Sequence, residues 1–135
     1  AKDNNIYDIF EFNLQELGLW SYITPLKMDS LSGSKEFAGG SIDFLFIDAD
    51  HRYLPFLADL QAWYPRMRQG SIICGHDCES KYSQADPALQ ERIEKGLTKD
   101  FDGIYHCGVV KGLHDYFHDD YEIFSGSRIW HRRVE

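Results

Sequence analysis

The chain has 135 residues, the length of one ordinary domain, and 43% of them are apolar. Its formal net charge of −8 argues against non-specific binding of nucleic acid or of an acidic membrane surface, because both need an excess of cations. The apolar content excludes a disordered chain, and no apolar run reaches the roughly 20 residues of a membrane span. We therefore expect one soluble domain over residues 1–135.

The first third of the chain combines one helical pattern with loops. Apolar residues recur every three or four positions over Ile6–Leu17, which predicts an amphipathic helix that ends at Gly18. A short strand is predicted over Tyr22–Met28, either at a sheet edge or irregular, since the proline in it removes one backbone donor. The Ser/Gly-rich stretch Ser30–Gly40 predicts a loop with at most one helical turn, at 35–37.

A strand, a helix and a second strand follow. The nearly continuous apolar run Ile42–Ile47 predicts a central strand, buried on both faces as in a parallel sheet. Helical spacing predicts a helix over Tyr53–Met67, and Ser71–Gly75 is the second buried strand. Together they predict a parallel βαβ unit.

The remainder of the chain alternates between polar and apolar segments. Residues 79–103 are polar and predict an insertion or lid, with a helix that Asp86 caps. A further helix is predicted over Val109–Phe117, and an antiparallel hairpin is formed by strands Tyr121–Phe124 and Arg128–His131. The predicted fold class is therefore α/β, with a parallel sheet that ends in an antiparallel hairpin.

The cysteines, Cys74, Cys78 and Cys107, are few and odd in number. Disulfide frameworks and structural zinc sites use more cysteines in closer pairs, so we expect neither. Reduced thiols are typical of a cytoplasmic protein, which is the location we predict.

Candidate chemistry lies at the carboxyl ends of the two buried strands, where open α/β sheets bind ligands. Asp48 and His51 follow the first strand, and His76 and Asp77 follow the second. Adjacent parallel strands lie roughly 5 Å apart, so the two ends can converge. Asp48, His76 and Asp77 would suit a divalent ion such as Mg²⁺ or Mn²⁺. The alternative is that Asp50 and Asp77 only cap the helices that follow.

His51 is the candidate general base. An imidazole has an unperturbed pKa of ~6.5, and a carboxylate neighbour raises it toward neutrality or above. The alternative is an exposed histidine at a helix start with no task. The 135 residues contain no Gly-rich dinucleotide fingerprint, phosphate loop or nucleophile elbow, which weighs against covalent hydrolase chemistry.

Residues 42–53, IDFLFIDADHRY, resemble a strand and turn of the class I S-adenosylmethionine-dependent methyltransferases, specifically the metal-dependent small-molecule O-methyltransferases. Residues 68–77, RQGSIICGHD, are similar to the next strand of that family. Residues 109–117 and 127–130 are similar to its last helix and strands, and 12–30 to the helix and strand before the adenine-contacting turn. The resemblance covers nearly the whole chain and implies a Rossmann-like fold.

The resemblance also implies a role for each candidate residue. Asp48 would bind a metal and lie near the methionine part of the S-adenosylmethionine donor, and Asp77 would be the second metal ligand. His76 stands where the family usually has a carboxylate, which favours a softer ion than Mg²⁺ or a metal-free site. Asp29 and Ser30 would border the adenine.

The reaction implied by the resemblance is methylation of a hydroxyl on a small molecule of the sugar or natural-product type. His51 stands at the family's base position and would take the hydroxyl proton, while the oxygen attacks the sulfonium methyl in line. The 79–103 segment would cover the acceptor. Two alternatives stay open: a catalytically incompetent structural fragment, and a metal-dependent hydrolase that uses Asp48, His76 and Asp77.

The chain starts at Ala1 without an initiator methionine. The resemblance implies that this start falls after the family's first strand and Gly-rich loop, which hold the donor's carboxypropyl group. We therefore expect the 135 residues alone to bind the donor weakly or not at all. A small-molecule acceptor is the expected partner, and the predicted edge strand leaves a homo-oligomer open.

Overall fold

A four-stranded sheet organises the computed structural model, which describes residues 5–135. The strands are β1 Ile42–Ile47, β2 Met67–Gly75, β3 Glu122–Ile123 and β4 Trp130–Arg133, in the order β1-β2-β4-β3. β1 and β2 run parallel, whereas β4 is antiparallel to both β2 and β3. The α/β class and the closing hairpin are therefore confirmed.

Helices connect these strands, and three of the α-helices begin at polar side-chain caps. The α-helices are α1 Ile6–Glu16, α2 Ser30–Ser34, α3 Tyr53–Trp63, α4 Pro87–Gly96 and α5 Cys107–Phe117, with 3-10 turns at Trp20–Tyr22, Tyr64–Arg66 and Tyr82–Gln84. The side chains of Asn5, Asp29 and Asp86 accept backbone N–H groups in the first turns of α1, α2 and α4. Between residues 5 and 135, no helix has both the length and the apolar character needed to cross a membrane.

The core lies where α3 and α5 pack on β2 and β4. Leu60, Ile73, Val109, Leu113 and Trp130 are fully buried there. Burying such side chains stabilises the fold by about 1.5–3 kcal/mol each. The most deeply buried side chains therefore surround β2 and β4.

A close backbone approach joins α5 to the turn after β1. A Cβ atom on Gly108 would lie 2.3 Å from the carbonyl oxygen of His51 and from the nitrogen of Tyr53. Only glycine permits this approach, which brings the start of α5 next to His51.

β1 forms where predicted, but its predicted position at the sheet centre is wrong for the described residues. Within residues 5–135 β1 pairs only with β2, and Phe44 and Phe46 are 62% and 46% exposed. An apolar run reports a preference for burial, and it does not fix which strands lie alongside.

Two predictions in the first third are also wrong. No strand forms over Tyr22–Met28, where the 3-10 turn is followed by unpaired backbone, and a local hydrogen bond joins the Met28 N–H to the carbonyl of Leu26. The helical turn falls at Ser30–Ser34 instead of 35–37. Its earlier start follows from Asp29, whose carboxylate accepts the backbone N–H of Ser32 at 2.9 Å.

The polar segment 79–103 contains the predicted helix, α4, and this helix is anchored to the domain. Ile93 is fully buried, and the backbone N–H of Tyr53 donates to the carbonyl of Leu97 at 2.9 Å. The role of the segment as a lid stays a prediction.

Candidate active site

The ends of β1 and β2 bring the predicted site residues together. Ile47 pairs with Gly75, so the residues that follow, Asp48 and His76, leave the sheet side by side. Asp48, His76 and Asp77 each offer a ligand atom within 4.8 Å of the others. This is the group predicted from the sequence as a metal site.

His51 lies at the centre of this cluster, and carboxylates surround both its ring nitrogens. Its Nε2 is 3.3 Å from Asp48 Oδ1 and 3.2 Å from Asp77 Oδ2, and its Nδ1 is 2.9 Å from Asp100 Oδ1. Asp100 belongs to the polar segment and lies 49 residues away in sequence. No local pattern marks Asp100, so sequence reasoning missed it.

The charged neighbours of His51 decide its titration. Burial alone would lower its pKa, but hydrogen bonds with Asp100 and Asp48 and the charge of Asp77 outweigh burial and raise the pKa above 6.5. A carboxylate only accepts hydrogen bonds, so this surrounding favours the imidazolium form. In its neutral form His51 is thus a stronger base than a free imidazole.

Asp77 connects the two halves of the cluster. Its backbone is left-handed, with φ of 62°, a conformation that aspartate tolerates better than most residues. Its carboxylate lies 3.0 Å from His76 Nδ1, 3.5 Å from His106 Nδ1 and 3.5 Å from Arg128 Nη1. Asp77 therefore faces the cluster from a buried position.

His106 and Glu79 extend the cluster beyond the predicted residues. Glu79 accepts two hydrogen bonds from His106, one from Nδ1 at 2.7 Å and one from the backbone N–H at 3.1 Å. Phe101 stacks on the His106 ring with centroids 4.7 Å apart. His106 stands directly before α5, whose start lies next to His51 through the close approach at Gly108.

A cavity of about 320 Å³ opens at the carboxyl end of β1, and both Ser30 and Asp48 line it. Phe46 and Trp63 supply apolar walls, and Trp63 Nε1 donates to Ser30 Oγ at 2.8 Å. Apolar walls with a few polar groups suit an adenosine-like ligand, so these residues fit the S-adenosylmethionine donor. A larger cavity, about 620 Å³ near Gly70, contains none of the cluster residues.

Asp59, which sequence reasoning did not single out, also lines the smaller cavity. It is only 5% exposed, and burial raises the pKa of its carboxyl while a hydrogen bond with Ser30 lowers it in part. A buried acid on the helix after β1 thus borders the predicted donor position.

Two acidic residues at strand and helix ends have local partners. Asp29 does not line the cavity, because its carboxylate caps α2, and its hydrogen bonds with Ser32 lower its pKa. Asp50 accepts the backbone N–H of Arg52 at 3.0 Å and pairs with its guanidinium, which lowers the pKa of Asp50 to about 2. Asp50 thus serves the turn before α3, but it does not cap this helix, whose N-cap residue is Arg52 and has no side-chain cap.

The parallel βαβ unit, with a carboxylate and imidazole cluster at its strand ends, defines a Rossmann-like α/β fold with a candidate ligand site. The family model described as a methyltransferase domain matches residues 3–78, more than half of the chain and including β1, α3 and β2. The chain belongs to this family, the class I S-adenosylmethionine-dependent methyltransferases. Among curated proteins, no match to the chain was found.

Proposed function

We propose that the chain transfers a methyl group from S-adenosylmethionine to a hydroxyl of a small molecule of the sugar or natural-product type, with His51 as general base. The observation that carries the proposal is the orientation of His51, whose Nε2 faces Asp48 and Asp77 while Asp100 lies 2.9 Å from Nδ1. A base held by a third group is the usual arrangement in acid–base catalysis.

His51 would take the acceptor's proton on Nε2. Asp100 accepts the hydrogen of Nδ1, so the neutral ring presents the lone pair of Nε2 to the cluster. Once the proton has moved, Asp48, Asp77 and Asp100 stabilise the imidazolium. General-base assistance of this kind contributes about 10²–10⁴-fold to a rate.

Ser30 and Asp48 would hold the donor, because both line the cavity at the end of β1. The donor, when bound, supplies an electrophilic methyl group that the acceptor oxygen attacks in line. Asp48, His76 and Asp77 would hold a divalent ion such as Mg²⁺ or Mn²⁺, which lowers the cost of negative charge on the acceptor oxygen.

The polar segment 79–103 would cover the acceptor. Asp100 contacts His51, and Phe101 stacks on His106, so this segment already borders the cluster.

A cytoplasmic location agrees with the free thiols of Cys74, Cys78 and Cys107.

The test combines donor binding with turnover. Calorimetry would measure S-adenosylhomocysteine binding with and without Mn²⁺, and a methyl-transfer assay would follow a panel of hydroxylated acceptors. We expect His51→Ala to reduce turnover by about 10²-fold or more while affinity for S-adenosylhomocysteine stays within about threefold. His131→Ala is the matched control, since this histidine stacks on Phe124 outside the cluster.

Two results would contradict the proposal. Unchanged turnover in His51→Ala would remove the base assignment. Absence of methyl transfer to every acceptor, at donor concentrations high enough to fill a weak site, would remove the transferase assignment for these residues.

A further inference from the structure

A second group of possible metal ligands overlaps the first and is more buried. One ring nitrogen each from His51 and His106 and one carboxylate oxygen of Asp77 lie within 4.8 Å of one another. Their side chains are 17%, 11% and 11% exposed, whereas that of Asp48 is 50% exposed. This second group has two imidazoles and one carboxylate, so its chemistry differs from that of the Asp48 group.

We propose that His51, Asp77 and His106 form a binding site for a borderline transition ion of the Zn²⁺ type. Imidazole nitrogen is a preferred ligand of Zn²⁺ and Co²⁺, whereas Mg²⁺ prefers oxygen ligands. The site shares Asp77 with the Asp48–His76–Asp77 group but uses two histidines that the latter does not. Ion binding here does not depend on the proposed methyl transfer.

The distances within the group suit a small tetrahedral ion. Bonds of about 2.0–2.1 Å at the tetrahedral angle place ligand atoms about 3.3 Å apart. His51 Nε2 lies 3.2 Å from an oxygen of Asp77, and His106 Nδ1 lies 3.5 Å from its other oxygen. These two contacts use different oxygens of Asp77. With one ligand atom from each residue the three lie within 4.8 Å of one another, so they would close in by up to about 1.5 Å on binding.

An outer carboxylate supports His51. Histidine ligands of metals commonly donate their second ring N–H to a carboxylate, which fixes the ring and raises its basicity. Asp100 does this for His51, since it lies beside Nδ1 while Nε2 faces Asp77. At His106 the nitrogen that faces Asp77, Nδ1, is also the one that lies 2.7 Å from a Glu79 oxygen, so a bound ion would replace the Nδ1 proton and Glu79 would supply a further oxygen ligand.

One protein cation faces the same carboxylates. Arg128 Nη1 lies 3.5 Å from Asp77 and 3.6 Å from Glu79, and this side chain is 47% exposed. A bound ion would compete with the guanidinium, which can turn toward solvent. Removing this competitor in Arg128→Ala should therefore strengthen ion binding.

Occupation of the site has a consequence for catalysis that rests on the proposed function. The ion would use Nε2 of His51, the nitrogen that must be free to accept a proton. Zn²⁺ would then inhibit methyl transfer even where Mg²⁺ or Mn²⁺ supports it.

The experiment measures ion binding to the full chain, without any turnover. Zn²⁺ affinity is obtained by competition with a chromophoric chelator, and Co²⁺ absorption reports whether nitrogen and oxygen or thiolate ligands surround the ion. We expect His106→Ala to weaken Zn²⁺ binding at least tenfold. His76→Ala, the matched control from the other group, should change it less than threefold.

Three outcomes would overturn the proposal: equal losses in both variants, a larger loss in His76→Ala, or a Co²⁺ spectrum with thiolate bands. Circular dichroism checks the fold of each variant. If His106→Ala does not fold, His106→Asn replaces it, because an amide can still donate to Glu79 while it supplies no imidazole ligand. The same tenfold loss is then expected.

Discussion

β1 carries apolar side chains that are exposed to solvent, whereas similar side chains on β2 and β4 are buried in the core. On β1, Phe44 and Phe46 are exposed in large part, whereas Ile73 on β2 and Trp130 on β4 are fully buried. Two differences account for this: Phe44 and Phe46 point to the face opposite to that of Ile73, and β1 has one neighbouring strand within residues 5–135 whereas β2 lies between two. Residue type alone therefore does not decide which strand is stabilised by burial.

The candidate site takes one half from each side. Asp48 follows the exposed strand, and Asp77 follows the buried one and is held by several charged neighbours. Substitutions in the buried half should therefore disturb folding and site together. Those at Asp48 should disturb the site alone, and those on the outer face of β1 should disturb neither.

The largest effect should come from the buried centre. Trp130→Ala removes a fully buried ring that lies edge-on to Phe56, with centroids 6.3 Å apart. We expect a loss of about 3–5 kcal/mol in the free energy of unfolding, because the cavity can collapse only in part. Urea unfolding followed by circular dichroism measures it, and a loss below about 1 kcal/mol would contradict the burial of this side chain.

A smaller loss should follow from crowding the contact between the two strands. A Cβ on Gly75 would lie 2.4 Å from the Ile47 carbonyl oxygen and 2.8 Å from Trp130 Nε1. Gly75→Ala should therefore cost about 1–3 kcal/mol and displace His76 and Asp77, which follow directly. The control is Gly39→Ala, where the nearest atom would be at an ordinary 3.6 Å; equal losses in both variants would argue against the close approach.

Asp100 lies at the exposed rim of the site, and its substitution should change mainly the pKa of His51. Asp100→Asn removes the strongest contribution that raises the pKa of His51, so this pKa should fall, as an NMR titration of the ring would show. The stabilisation from a raised histidine pKa is complete below the unfolded value of ~6.5 and disappears as pH rises through the folded pKa. Wild type should thus exceed Asp100→Asn in stability near pH 5.5 and match it at high pH. An unchanged His51 pKa in the variant would show that Asp100 does not act on the ring.

The same contrast explains what the sequence could predict. Local patterns were sufficient for α1, α5 and the βαβ unit, since spacing, capping and turn residues act over a few positions. They also allowed the prediction that four residues, Asp48, His51, His76 and Asp77, lie close together, because parallel strands end at the same edge of a sheet.

Long-range contacts account for what local patterns missed. Asp100 and His106 reach the cluster through the packing of the polar segment and α5, and no short-range pattern encodes that contact. The exposed edge of β1 was missed for a similar reason, because an apolar run does not specify which strands pair with it.

The smallest effect should come from the outer face of β1. Phe44→Ser replaces a ring that is 62% exposed, so we expect a change within about ±0.5 kcal/mol in the free energy of unfolding. Ile73→Ser on β2 is the matched comparison and should cost several times more, since it puts a hydroxyl into the core. Denaturant unfolding of both variants measures the difference directly. A loss above about 1.5 kcal/mol in Phe44→Ser would mean that this face is covered in solution, and the contrast between the two strands would then no longer hold.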